Sequence, residues 1–230
     1  PDGYSDLNSA RANWFCFYYT NKQEELKKLL EKCQKEGGFI FRFRPSNGTP
    51  QYIHIANSPS VIHTIDKNDI TNTTISITPF ESLVTKRIVK FDRNPITDKP
   101  IQEITCTDTT NNPRSTYNIN TKENIKTHEL EILRNKVGDA NMGGNKNNGF
   151  ANYYNAIEGN PKLIIDTEII NPGSSGGSSH FYLMEVGDIC AFDHTNQIVA
   201  PFGESFNGKK FILTSLTRKP GSLKVSLREI

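Results

Sequence analysis

Residues 223–228 near the end of the sequence alternate strictly: Leu223, Val225 and Leu227 are apolar, while Lys224, Ser226 and Arg228 are polar. Successive side chains of a β-strand point to opposite faces, so this run predicts a strand with one buried face. Arg218-Lys219-Pro220-Gly221-Ser222 precedes it and predicts a turn, because Pro presets φ and Gly accepts a positive one. Glu185–Asp193 and Gly208–Leu216 extend the pattern upstream, so the chain is expected to close as a β-meander.

Helical periodicity is rarer. Leu26, Leu29, Leu30 and Cys33 fall at i, i+3, i+4 and i+7 and predict a helix over Gln23–Lys35, capped by Thr20 or Asn21 and ended by Gly37 or Gly38. A hairpin follows at Phe39–Arg44 and Gln51–Ala56, turning at Pro45–Thr49. Residues 57–80 are polar and Thr-rich, with strand fragments at Val61–Ile65 and Thr74–Thr78. Longer strands are expected at Ser82–Phe91, Gln102–Asp108 and Leu163–Ile170, and a short extended piece at Tyr117–Asn120. Ile125, Ile132 and Leu133 form a weaker stripe that predicts a second helix near 122–136. Phe150, Tyr153, Tyr154 and Ile157 predict a third near 150–158, stopped by Gly159-Asn160-Pro161. The reading is α+β, mainly β. Residues 1–20, with an aromatic strand at Trp14–Tyr19, read as the end of a preceding segment of a longer protein. A small helix-plus-hairpin domain spans 21–80, and a mainly β domain spans 81–230.

Composition narrows the function classes. The 230 residues carry a net charge of +2 with both signs interspersed. Nucleic-acid binding by charge alone requires a clustered basic face, which this balance does not supply by default. Hydrophobic residues make up 35%, and the 10% that are aromatic share in the core burial. The longest apolar run, Trp14–Tyr19, is too short to cross a bilayer, so no membrane span is expected, and no signal peptide is recognisable. Cys16, Cys33, Cys106 and Cys190 lack metal-site spacing and read as reduced, mostly buried thiols.

No motif for catalysis, cofactor or metal emerges. Asp139–Gly144 begins like a calcium loop, but Phe150 stands where a bidentate Glu is needed. Gly173–Ser179 lacks the Lys-Ser/Thr and the following helix of a phosphate cradle. His54, His63, His128, His180 and His194 show no metal-ligand spacing. Glu103, Asp108, Glu168 and Asp193 lie on or beside strands, where a glycosidase pairs two carboxylates, but nothing selects a pair. The sequons at Asn47 and Asn72 are expected by chance in so Asn- and Thr-rich a chain. One basic stretch stands out, Lys86, Arg87, Lys90 and Arg93. On a strand Lys86, Ile88 and Lys90 face one way and Arg87, Val89 and Phe91 the other. Such a stripe either lines a channel or interface, or protects a sheet edge.

The order of elements from Thr78 onward resembles the hub proteins of phage tails and related injection machines. The resemblance rests on Ser115-Thr116-Tyr117-Asn118-Ile119, a helical region, the Pro-led strand Pro161–Asp166, Met184–Ile189 leading into a strand, and Gly208–Leu216 with its turn and final strand. Helix and hairpin at 23–56 resemble the small domain that precedes the barrel in such hubs; residues 57–80 have no counterpart in that pattern. The resemblance implies that 81–230 is a β-barrel-like hub domain with two inserted helices. It also implies a closed ring, usually a trimer, which joins the tail tube and other tail-tip proteins. DNA passes through it without sequence specificity. The location implied is the virion tail, assembled in the host cytoplasm, and the role is structural, without a cofactor. Two other readings compete: a carbohydrate- or receptor-binding β module, suggested by Trp14, Phe15, Phe17, Tyr18, Tyr19, Tyr153 and Tyr154, and a tail-associated hydrolase.

Overall fold

The structure is a computed structural model that describes residues 1–20, 23–45, 47–109, 124–143, 145–170, 172, 181–193 and 205–230. The expected Ser115–Ile119 turn region, the Tyr117–Asn120 piece and the Gly173–Ser179 loop lie outside these residues. Contacts divide the chain into two units, Pro1–Asn57 with Pro79–Pro161, and Ser58–Thr78 with Lys162–Ile230. The segments 21–80 and 81–230 each contribute to both units.

The first unit contains helices α1 (Tyr4–Ala10), α2 (Leu26–Gly37) and α3 (Phe150–Glu158). Strands β1 (Ile40–Phe43) and β2 (Pro50–Ile53) form the expected hairpin, with Phe41 opposite Tyr52. Helix α2 starts after Glu25 rather than at Thr20 or Asn21, and ends at Gly38, whose φ of 64° is the left-handed cap. Its apolar stripe is shallow: Leu26 is exposed, and the one fully buried residue of the helix is Glu36. A three-stranded sheet has the order β6-β5-β7, from β5 (Lys86–Arg93), β6 (Pro100–Thr107) and β7 (Ile125–Glu129). Val89, Cys106, Leu130, Leu133, Phe150 and Ala151 are among its buried core, so α3 packs here as its stripe predicts.

The helix expected near 122–136 is absent among the described residues; Ile125–Glu129 instead runs parallel to β5. Within this strand only His128 is buried and Ile125 is exposed, while Leu130, Ile132 and Leu133 are buried in the segment that follows, so the apolar residues read as one helical stripe belong to two different local structures.

The second unit is one six-stranded sheet in the order β3-β9-β10-β11-β8-β4. It comprises β3 (His63–Ile65), β4 (Ile70–Ile77), β8 (Leu163–Ile170), β9 (Ile189–Phe192), β10 (Phe211–Lys219) and β11 (Ser222–Glu229). The closing meander is present: β9, β10 and β11 are antiparallel neighbours, and Gly221 turns with φ 78°. Residues 57–80, which have no counterpart in the hub pattern but carry expected strand fragments, supply both edges of this sheet, β3 and β4. Leu223, Val225 and Leu227 pack with Leu163, Ile165 and Ile169 in the core. Burial of each such side chain is worth about 1.5–3 kcal/mol.

Two bulges bend the sheet. β10 carries one extra residue between Leu213 and Ser215, and β4 one between Thr71 and Thr74, where Asn72 has φ 51°. An extra residue lengthens one strand against its partner and increases the local twist, in keeping with the sheet's curled, half-barrel form. Mainly β architecture is therefore as expected.

Candidate functional site

Strand β5 carries the four candidate residues, and alternation separates them. Arg87 points into the core of the first unit and is fully buried. Its Nη2 donates to Glu158 Oε2 at 2.6 Å and its Nη1 to His128 Nε2 at 3.0 Å. A guanidinium only donates, so His128 accepts as a neutral ring. Burial and then the Arg87 charge push the His128 pKa down to about 4. Burial alone would raise the Glu158 carboxyl, but the hydrogen bond and charge of Arg87, joined by Lys126 at 3.0 Å, hold it below its usual range. Arg87 is thus a structural cation beneath α3.

Lys86 and Lys90 lie on the opposite face of β5, both half-buried. Lys90 is flanked across the sheet by Glu103 and Glu129, each at 3.9 Å. Arg93 reaches elsewhere, to Asp98 at 2.7 Å and Glu131 at 3.1 Å. Lys32 of α2 meets the same Glu131 at 2.7 Å and Glu24 at 2.6 Å. The result is an alternating chain, Glu24–Lys32–Glu131–Arg93–Asp98. Burial alone would lower the Lys32 ammonium, but its two carboxylate partners reverse that and raise it. Tyr18 donates its hydroxyl to Glu24 at one end of the chain.

Sequence reading missed Glu36. Its Oε1 accepts the amide of Glu131 at 2.7 Å, and its Oε2 accepts those of Ile132 and Leu133, both at 2.8 Å. A glutamate seven residues after a stripe leucine gives no signal that it will be buried, because its partners are backbone groups 95–97 residues away.

The other candidates disperse. Tyr153 is buried and Tyr154 bonds Lys35 O, so this pair serves packing. Trp14 lies under the Arg11 guanidinium at 4.3 Å, whereas Phe15, Phe17 and Tyr19 are exposed. Asp108 accepts from Asn155, and Glu168 from Ser222 and Asn72. Asp139 accepts from Asn148 in its own loop and from Asn152 on α3, and among the described residues no three His, Cys, Asp or Glu converge on a metal position. Cys106 and Cys190 are buried, and burial pushes their thiols up to about 11 and about 12. Cys16 is exposed, against expectation, and all four are free. In the second unit, the Val186-Gly187-Asp188 turn is locked by Gly187 N to Leu213 O at 2.7 Å and by Asp188 Oδ2, which accepts Glu185 N and meets His63 Nε2 at 3.2 Å.

No protein-family model matches the sequence, and no curated protein does. Solved structures do match. A chain of the virion of a native gene transfer agent particle superposes with a TM-score of 0.53 at 10% identity, covering 87% of this chain and 38% of that one. Prophage tail protein gp18 from Listeria monocytogenes EGD-e has a TM-score of 0.47 at 14% identity, covering 89% and 52%. The 43 kDa tail protein of prophage MuSo2 from Shewanella oneidensis has 0.49 at 12%, covering 92% and 56%. The chain spans about two-fifths to just over half of these proteins. At the level of fold, the chain resembles a chain of the gene transfer agent virion, in line with the resemblance that its order of elements suggested.

Proposed function

We propose that this chain is a structural component of a phage tail tip or baseplate hub, part of a ring that joins the tail tube to the tip around the DNA channel. One observation supports the reading: the closing meander expected from the hub resemblance is part of a six-stranded curled sheet, in a fold similar to that of a chain of the gene transfer agent virion. Its role is assembly rather than catalysis, in a homo-oligomer, expected to be a trimer, within the virion tail. Closure into a ring also suits the sheet, because pairing or covering removes open strand edges. Lys86 and Lys90 share one half-buried face of β5 and are the members of the basic stretch proposed to line a channel or interface, whereas Arg87 is buried in the core.

The test is the mass of the full-length protein together with negative-stain imaging. A ring-shaped trimer with a central hole is expected; a stable monomer across the concentration range would overturn the hub reading. Reversal of both charges, Lys86→Glu with Lys90→Glu, is expected to impair assembly or DNA delivery, and the stripe is eliminated if both survive intact.

A further inference from the structure

The ion-pair chain Glu24–Lys32–Glu131–Arg93–Asp98 lies along an open cleft of about 400 Å³ in the first unit. That volume falls in the range of small-molecule sites. Tyr18 and Tyr19 line one side, and Tyr19 is 54% exposed. The turn after β5 forms another wall and carries Pro95 and Ile96, the latter 91% exposed. This turn is well held: Asn94 Oδ1 accepts the amides of Ile96 and Thr97, and Asp98 N bonds Asn94 O at 2.8 Å.

We propose that this cleft binds a neutral saccharide. An anion gains little, because Lys32 and Arg93 each already meet two carboxylates and the chain as a whole has three carboxylates to two cations. A metal cation is disfavoured for the converse reason, since each carboxylate already faces an ammonium or guanidinium. A purely apolar ligand would strip water from five charged groups without replacing their hydrogen bonds. A polyhydroxylated ligand avoids all three costs. Each hydroxyl both donates and accepts, so a row of them matches a floor on which donors and acceptors alternate. The remaining lone pairs and N–H groups of the ion-paired side chains stay usable, because a carboxylate offers about four acceptor sites and a guanidinium five donors. The exposed tyrosine supplies a flat apolar surface with a polar tip for the C–H face of a sugar ring. Saccharide binding in this cleft is independent of ring formation, and the two are measured separately.

The experiment uses the full chain on an array of neutral oligosaccharides, followed by NMR titration of any glycan bound. Tyr19→Ala and Asp98→Asn are the probing variants; both side chains are exposed, and Asn tolerates the φ of 57° at position 98. The expected result is a binding glycan whose affinity falls about tenfold or more in each variant and is little changed by salt. Three results would each overturn the proposal: no neutral glycan bound, binding unaltered by Tyr19→Ala in folded protein, or affinity that collapses with salt, which marks a charged ligand.

Discussion

Removing the Glu36 carboxylate should loosen the first unit more than any other single change of a polar group on α2. The side chain is 3% exposed and accepts three consecutive backbone amides at 2.7–2.8 Å. Hydrogen bonds to a charged group contribute about 1.5–3 kcal/mol each, and a stranded buried donor costs about 1–3 kcal/mol. Glu36→Ala strands the donors of Glu131, Ile132 and Leu133 together. Water entering the vacated volume recovers part of the loss, so about 4 kcal/mol is expected. Glu36→Gln keeps one oxygen for two of the amides but turns an NH₂ toward a third donor, and about 2 kcal/mol is expected. Urea unfolding followed by far-UV circular dichroism reads both; at about 3 kcal/mol per M, the Ala midpoint falls by roughly 1.3 M. Hydrogen exchange adds a local signature, with faster exchange at 131–133 in both variants. A loss below about 1 kcal/mol for Glu36→Ala, with those amides still protected, would refute the reasoning.

Three further outcomes follow from the same geometry. His128 is neutral in the fold, with its pKa pushed down to about 4 from an ordinary 6.5. The unfolded chain therefore binds the proton first, and stability falls as pH drops from 6.5 toward 4, by up to about 3 kcal/mol at 1.36 kcal/mol per pH unit; urea midpoints against pH should show this slope, and His128→Gln should flatten it. Arg87→Met leaves Glu158 without its buried partner and is expected to cost about 3 kcal/mol, while adding Glu158→Leu restores part of it, so an additive double-mutant cycle would contradict the coupling. Gly38→Ala forces a positive φ on a residue whose Cβ would meet the Tyr153 ring at 2.9 Å, so a fall in thermal stability of about 2 kcal/mol or more is expected, and an unchanged melting temperature would contradict the packing.

Local pattern was a good guide wherever neighbours in sequence supply the partners. The β1–β2 hairpin, α3 and the closing meander appear where their periodicity places them. It failed where partners are distant. β7 was read as a helix because Ile125, Ile132 and Leu133 are spaced like a helical stripe, whereas the one buried residue of the strand is a histidine that accepts from Arg87, 41 residues away. The basic stretch had the right alternation but an open outcome, since a strand pattern says that Arg87 and Lys86 face opposite ways without saying which way is in.

Short-range effects, namely strand alternation, turn chemistry and helix caps, made the mainly β class, most of the element order and the resemblance behind the proposed hub role legible in the sequence. Tertiary structure alone decided three things. It turned the polar segment 57–80 into both edges of the six-stranded sheet, drew Glu36 and Arg87 inward, and assembled one cleft from Tyr18, Lys32, Arg93 and Glu131. The physical reason is shared. A polar residue can be buried, or placed in a site, only when a complementary group arrives from elsewhere in the chain, and the fold alone sets that meeting.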